Sequence, residues 1–190
     1  MLFHPRTMFP VAAGLRRREG IPIGHVFSFV SGLYFRGKLA YGERFARPPR
    51  GAPWLGSGAL VITQSRGLVP VETRICLEHL DELAQVDVSA HEQGFTTPLL
   101  RDASQLAGSL GRDGMVVMLG SIATPKYVDP LVTALGSRLH FPIDFVGRGD
   151  MSRGGLLLRA VDAGAELPYG PVVGAVRRGP RPPRLPPRRA

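Results

Sequence analysis

Two short runs of apolar and β-branched residues, "ALVITQ" at 59–64 and "MVVML" at 115–119, stand among segments that open on proline and close on glycine. Runs of this kind suit strands buried on both faces, and helices alternating with them suit a mostly parallel sheet covered on both sides. The pattern predicts an α/β fold, a single three-layer domain over residues 21–170 with a mostly parallel sheet. A length of 190 residues fits one domain with a core of its own. Residues 1–20 form a separate N-terminal segment, and the Pro/Arg-rich residues 171–190 are too poor in apolar side chains to fold, so a disordered tail is expected.

The helices follow from spacing and punctuation. Apolar residues at 26, 29, 30, 33 and 41, with Gly37 in the same series, predict one long helix over 24–46, ended by Pro48, Pro49, Gly51 and Pro53. "SRGLVP" reads as a loop after the first strand, and "CLEHLDELAQV" as a short amphipathic helix. "TPLLRDASQLAGSLG" reads as a helix capped by Thr97 with Pro98 at its first position. Thr124 and Pro125 repeat that start, Gly136 stops the helix, and Pro130 limits or kinks it. Residues 138–147 should be extended, with Pro142 placing them at a sheet edge or dividing them. "DMSRGGLLLRAVDAG" gives a last helix capped by Asp150 or Ser152.

Charge points to anions, although unevenly. The formal charge is +9, but six arginines lie in the last fourteen residues, and setting them aside leaves +3. Lys38 and Lys126 are the only lysines, an arginine bias that a GC-rich coding sequence would also produce. The single cysteine, Cys76, has no partner at disulfide or zinc spacing, which fits a reducing cytoplasm and leaves no metal site. No apolar run reaches the roughly 18 residues of a membrane span. The N-terminus has its arginines after its apolar residues, the wrong order for a secretion signal.

In a parallel sheet ligands bind outside the carboxyl ends of the strands. Three polar loops would meet there: Ser65, Arg66 and Gly67; Gly120, Ser121, Thr124, Lys126 and Tyr127; and Gly147, Arg148, Gly149, Asp150 and Arg153. The helix opening at Thr124 presents free N–H groups beside Lys126, a setting for an anion. An ordinary capped loop with an exposed lysine has the same sequence. "GRGDMSRGG" places Ser152 where a dinucleotide fingerprint needs its third glycine, and its two arginines around Asp150 suit either a phosphate or a local ion pair. His79 follows Cys76 by three residues, a spacing that packing explains better than a nucleophile and its base. No catalytic residue is assigned.

In order along the chain, "GLYFRGKLAYGERFA", "VITQSRGLVPVET", "VMLGSIATPKYVDPL" and "FVGRGDMSRGGLLLR" resemble a group of small bacterial proteins of unknown function. More distantly they resemble YaaA-like and uracil-DNA-glycosylase-like α/β domains. The resemblance covers residues 25–160 and implies one site built from Ser65, Arg66, Gly67, Gly120, Ser121, Tyr127, Gly147, Gly149 and Arg153. It also implies a further strand and a Ser/Cys-Gly-Lys/Arg type loop ahead of residues 1–20, so that segment is expected to be truncated or poorly ordered. The tyrosine of the first turn is replaced by Ser65-Arg66. The expected function is binding of a nucleotide, nucleobase or nucleic-acid end, with hydrolase or glycosylase-like chemistry open and no cofactor. The alternative is a non-catalytic nucleic-acid or protein scaffold acting through its basic tail.

Overall fold

A computed structural model describes residues 9–89 and 91–186. In chain order the elements are α1 (Pro10–Leu15), β1 (Ile21–Pro22), α2 (Ile23–Phe45), β2 (Leu60–Ile62), β3 (Leu68–Pro70), β4 (Arg74–Ile75), α3 (Leu77–Ala84), α4 (Gln93–Ser109), β5 (Val116–Val117), α5 (Pro125–Leu135), β6 (Leu139–Pro142), α6 (Asp150–Ala163) and β7 (Tyr169–Pro171). Helix dominates, and among the described residues no strand is longer than four residues.

The expected mostly parallel three-layer α/β sheet is not formed. β1 pairs antiparallel with β4, β2 antiparallel with β3, and a small mixed sheet runs β5-β6-β7. Only β5 and β6 are parallel, Val116 lying opposite Leu139, and α5 is their crossover. The cause is local. After β2 the chain reverses at Thr63–Gly67, where Gly67 takes φ +66° and Thr63 N–H donates to the Gly67 carbonyl at 2.9 Å. A left-handed glycine in a short loop makes a hairpin, so Leu68–Pro70, expected as loop, returns as a strand with Val69 opposite Val61.

Other boundaries also differ from the sequence pattern. α2 is broken at Gly32, whose φ of +66° and ψ of −146° leave the helical region. α4 starts at Gln93, because the Glu92 carboxylate accepts Gly94 N–H at 3.0 Å and caps the helix ahead of Thr97. Pro98 and Pro130 sit inside α4 and α5 without ending them. Thr124 has extended N-cap backbone but no capping side-chain bond, and Gly149, not Asp150 or Ser152, precedes α6. Pro142 does end β6, yet β6 is the central strand of its sheet.

Three apolar clusters fill the interior. One gathers α4, α5 and the mixed sheet around Phe95, Leu99, Val128 and Leu139. A second holds Ala12 and Leu15 of α1 against Val26, Val61 and Ile75. The third joins Tyr41 to Phe145 and Leu157 of α6. Between the hairpin and α4, the buried Asp102 carboxylate accepts Leu68 N–H at 2.9 Å and a bond from Arg101 at 2.7 Å. Asp102→Ala leaves that buried N–H unpaired and is expected to lower unfolding free energy by about 1–3 kcal/mol, measured by urea titration.

Candidate functional site

The close crossing of α2 and α6 is what brings charged groups together. A Cβ on Gly37 would lie 2.8 Å from the Gly154 carbonyl oxygen, and one on Gly154 would lie 2.9 Å from the Tyr34 Cα. Only hydrogen at both positions lets the two backbones touch. At this contact Tyr34 and Lys38 on α2 face Asp150 and Arg153 at the start of α6, which follows the carboxyl end of β6.

Tyr34 spans the seam. Its hydroxyl donates to the Leu119 carbonyl at 3.2 Å, and its ring stands edge-on to Phe145. The Lys38 Nζ sits 4.1 Å over the Tyr34 ring centroid, and none of its three N–H donors has a hydrogen-bond acceptor among the described residues. Arg153 donates from Nε to the Phe145 carbonyl at 3.3 Å and from a terminal nitrogen to Asp150 at 3.3 Å. The Arg153 side chain is only 12% exposed, whereas that of Asp150 is 70% exposed. Arg153 therefore holds the solvated Asp150 carboxylate, and Lys38, with no ion pair to it, feels both charges only through space.

Burial sets the titration of the pair on α2. It pushes the Tyr34 phenol up to about 12, against a downward pull from Arg153. It also pushes the Lys38 ammonium down, with Asp150 opposing and Arg153 assisting. Tyr34, with its folded value raised, contributes stability that is complete below pH 10 and lost as the pH rises through about 12. Lys38 has the opposite sign: what its neutral form contributes is present above its ordinary value and is lost as the pH falls through the depressed folded value. Tyr41, Tyr127 and Tyr169 are raised as well, so the whole chain should weaken above pH 10. Tyr34→Phe is expected to reduce that alkaline loss, by on the order of 1 kcal/mol at pH 11, read from urea midpoints at pH 8 and pH 11.

The three loops picked out in the sequence do not form one crevice. Ser65, Arg66 and Gly67 are the β2–β3 turn, where the Arg66 guanidinium pairs with Glu82 of α3 and holds its carboxyl below the ordinary value. A Cβ on Gly67 would run into Asp102 and the Pro98 carbonyl, so this glycine serves packing. Gly120 and Ser121 lie on the β5–α5 connection, where the Ser121 hydroxyl accepts Ala123 N–H at 3.3 Å. Thr124, Lys126 and Tyr127 open α5, but Lys126 donates to the Val88 carbonyl at 3.5 Å and lies 5.1 Å from the Tyr127 ring, which packs on Phe95. Gly147, Arg148, Gly149, Asp150 and Arg153 do cluster at the start of α6, with Arg148 turned to the Asp144 carbonyl and the Ser152 hydroxyl. Tyr34 and Lys38 were not picked out in the sequence.

Other polar pairs have structural explanations. His79 Nδ1 accepts Cys76 N–H at 3.1 Å and lies 3.2 Å from Sγ, which closes a capping box on α3. A surface cavity of about 250 Å³ is lined by His25, Glu43, Ser57 and Glu72, but Glu72 is already taken up by Ser57 N–H at 2.6 Å. An open hollow of about 360 Å³ beside β7 is lined by apolar residues such as Phe141, Ile143 and Val173. Among the described residues no group of three or more His, Cys, Asp and Glu is placed to hold a metal ion, and no helix is long and apolar enough to cross a membrane.

These features define a helix-rich domain with small antiparallel and mixed sheets and a cationic seam between two crossing helices. Comparison with known protein families, with curated proteins and with solved structures gives no match.

Proposed function

We propose that the chain binds a phosphate-bearing ligand, a nucleotide or a nucleic-acid end, in the seam between α2 and α6, with Lys38 and Arg153 as its cations. The observation that carries this reading is Lys38: a half-buried ammonium held over a ring, with three donors free and a second half-buried cation across the seam. The ammonium tip still meets solvent, so an anion can reach it, and there it would gain charge-assisted hydrogen bonds in a setting less screened than bulk water. Tyr34 serves by position, since its hydroxyl is already committed to Leu119. Cytoplasmic residence belongs to the same reading, because the free Cys76 suits a reducing compartment. The reading is one of binding and assigns no reaction.

Calorimetric titration of the full chain with nucleoside mono- and triphosphates and with 5′-phosphorylated oligonucleotides at low salt should give saturable binding that weakens as salt rises. Absence of binding by all of them would refute the reading.

A further inference from the structure

The described end of the tail, with neither helix nor strand after Pro171, runs along the outer face of α6. Its contacts recur every three residues. The Pro180 carbonyl lies where a Cβ on Gly147 would be, Arg148 donates to the Pro183 carbonyl at 3.2 Å, and Arg159 donates to the Pro186 carbonyl. Gly179 meets Val146, and Leu185 meets Gly155. Pro182 and Leu185 are half-buried, and the rest of 176–186, with Arg178, Arg181 and Arg184, is exposed. A three-residue period without internal hydrogen bonds is that of polyproline II, which rises about 9 Å per turn. Ser152, Gly155 and Arg159 share one face of α6, and that face, with Arg148 on the loop just ahead of it, receives the tail.

From this we infer that the tail is a fixed ridge, strapped to α6, which presents Arg178, Arg181 and Arg184 in one outward row to the phosphodiester backbone of a nucleic acid. None of the three has a carboxylate partner among the described residues, and no acid follows Glu166 in the chain. Arg177, out of the row, pairs with Asp129 at 3.7 Å. A strap held by its carbonyls leaves the guanidinium groups outward and limits the conformational freedom that a loose tail would lose on binding. The ridge is distinct from the seam at Lys38 and Arg153.

Two variants of the full chain test this, with a fluorescent single-stranded oligonucleotide as probe. R178Q/R181Q/R184Q should bind it at least tenfold more weakly, with the slope of log affinity against log salt reduced by about 2, near 0.7 for each lost phosphate contact. R148M/R159M should release the strap. Pro182 blocks trypsin after Arg181, so cleavage at Arg184–Leu185 reports on it, and that bond should be cut several times faster than in the parent. Equal cleavage of parent and R148M/R159M would overturn the strap. Unchanged oligonucleotide binding by the triple variant, or binding of the parent to phosphatidylserine vesicles but not to the oligonucleotide, would overturn the ridge. Mononucleotide titration of the triple variant reads the Lys38 seam separately and should match the parent.

Discussion

Lys38→Met is expected to weaken binding of a nucleotide at least tenfold while leaving the fold as stable as the parent or up to about 1 kcal/mol more stable. Methionine keeps the aliphatic stem and a good helix propensity, and it removes a charge that burial disfavours. The attraction between the ammonium and the Tyr34 ring, about 0.5–1 kcal/mol, is lost in exchange and limits the gain. Opposite signs for stability and affinity distinguish a binding group from a packing group. Calorimetric titration read beside urea unfolding of the same preparation gives both. A variant weakened in both respects would make Lys38 structural, and one unchanged in affinity would remove it from the site.

Gly37→Val should cost more. Its Cβ would press on the Gly154 carbonyl oxygen and Cα, and backbone cannot move aside as a side chain can. Overpacking a well-filled contact costs about 1–3 kcal/mol, and here the upper part of that range is expected, with a fall of several degrees in Tm. The same wedge moves Tyr34 and Lys38 away from Arg153, so nucleotide affinity should drop even in protein that is still folded. Gly32→Ala is the control: nothing lies within 4 Å of its Cβ, so its cost comes from the positive φ alone and involves no helix contact. Equal effects of Gly37→Val and Gly32→Ala on affinity would mean that the crossing does not set the site.

Local signals were legible where one segment decides the outcome. The helices at 125–135 and 150–163 follow from apolar spacing and glycine stops, that at 77–84 from its apolar spacing alone, and the long helix, apart from its break, from its spacing and the prolines after it. Strand pairing was not legible in the same way, because "LVITQSRGLVPV" serves equally as a strand with a crevice loop or as a hairpin, and the choice rests on the φ of Gly67. The site was missed for a related reason. Tyr34 and Lys38 occupy ordinary helical positions, and they enter the proposed site only because Gly37 admits a second helix at Gly154, far along the chain. A glycine within the apolar series of α2 was the available signal, since it marks close approach by another backbone.

The second half of α2 has apolar partners on two sides at once. Phe35 and Leu39 pack into the cluster that holds α1 and the β2–β3 hairpin, while Tyr34, Tyr41 and Phe45 pack into the cluster around α6. A wall shared by two rooms cannot be taken down for one of them alone. Loosening either cluster strips one face of this helix, so the cost of opening passes to the other, and these two clusters are expected to open together in one cooperative step.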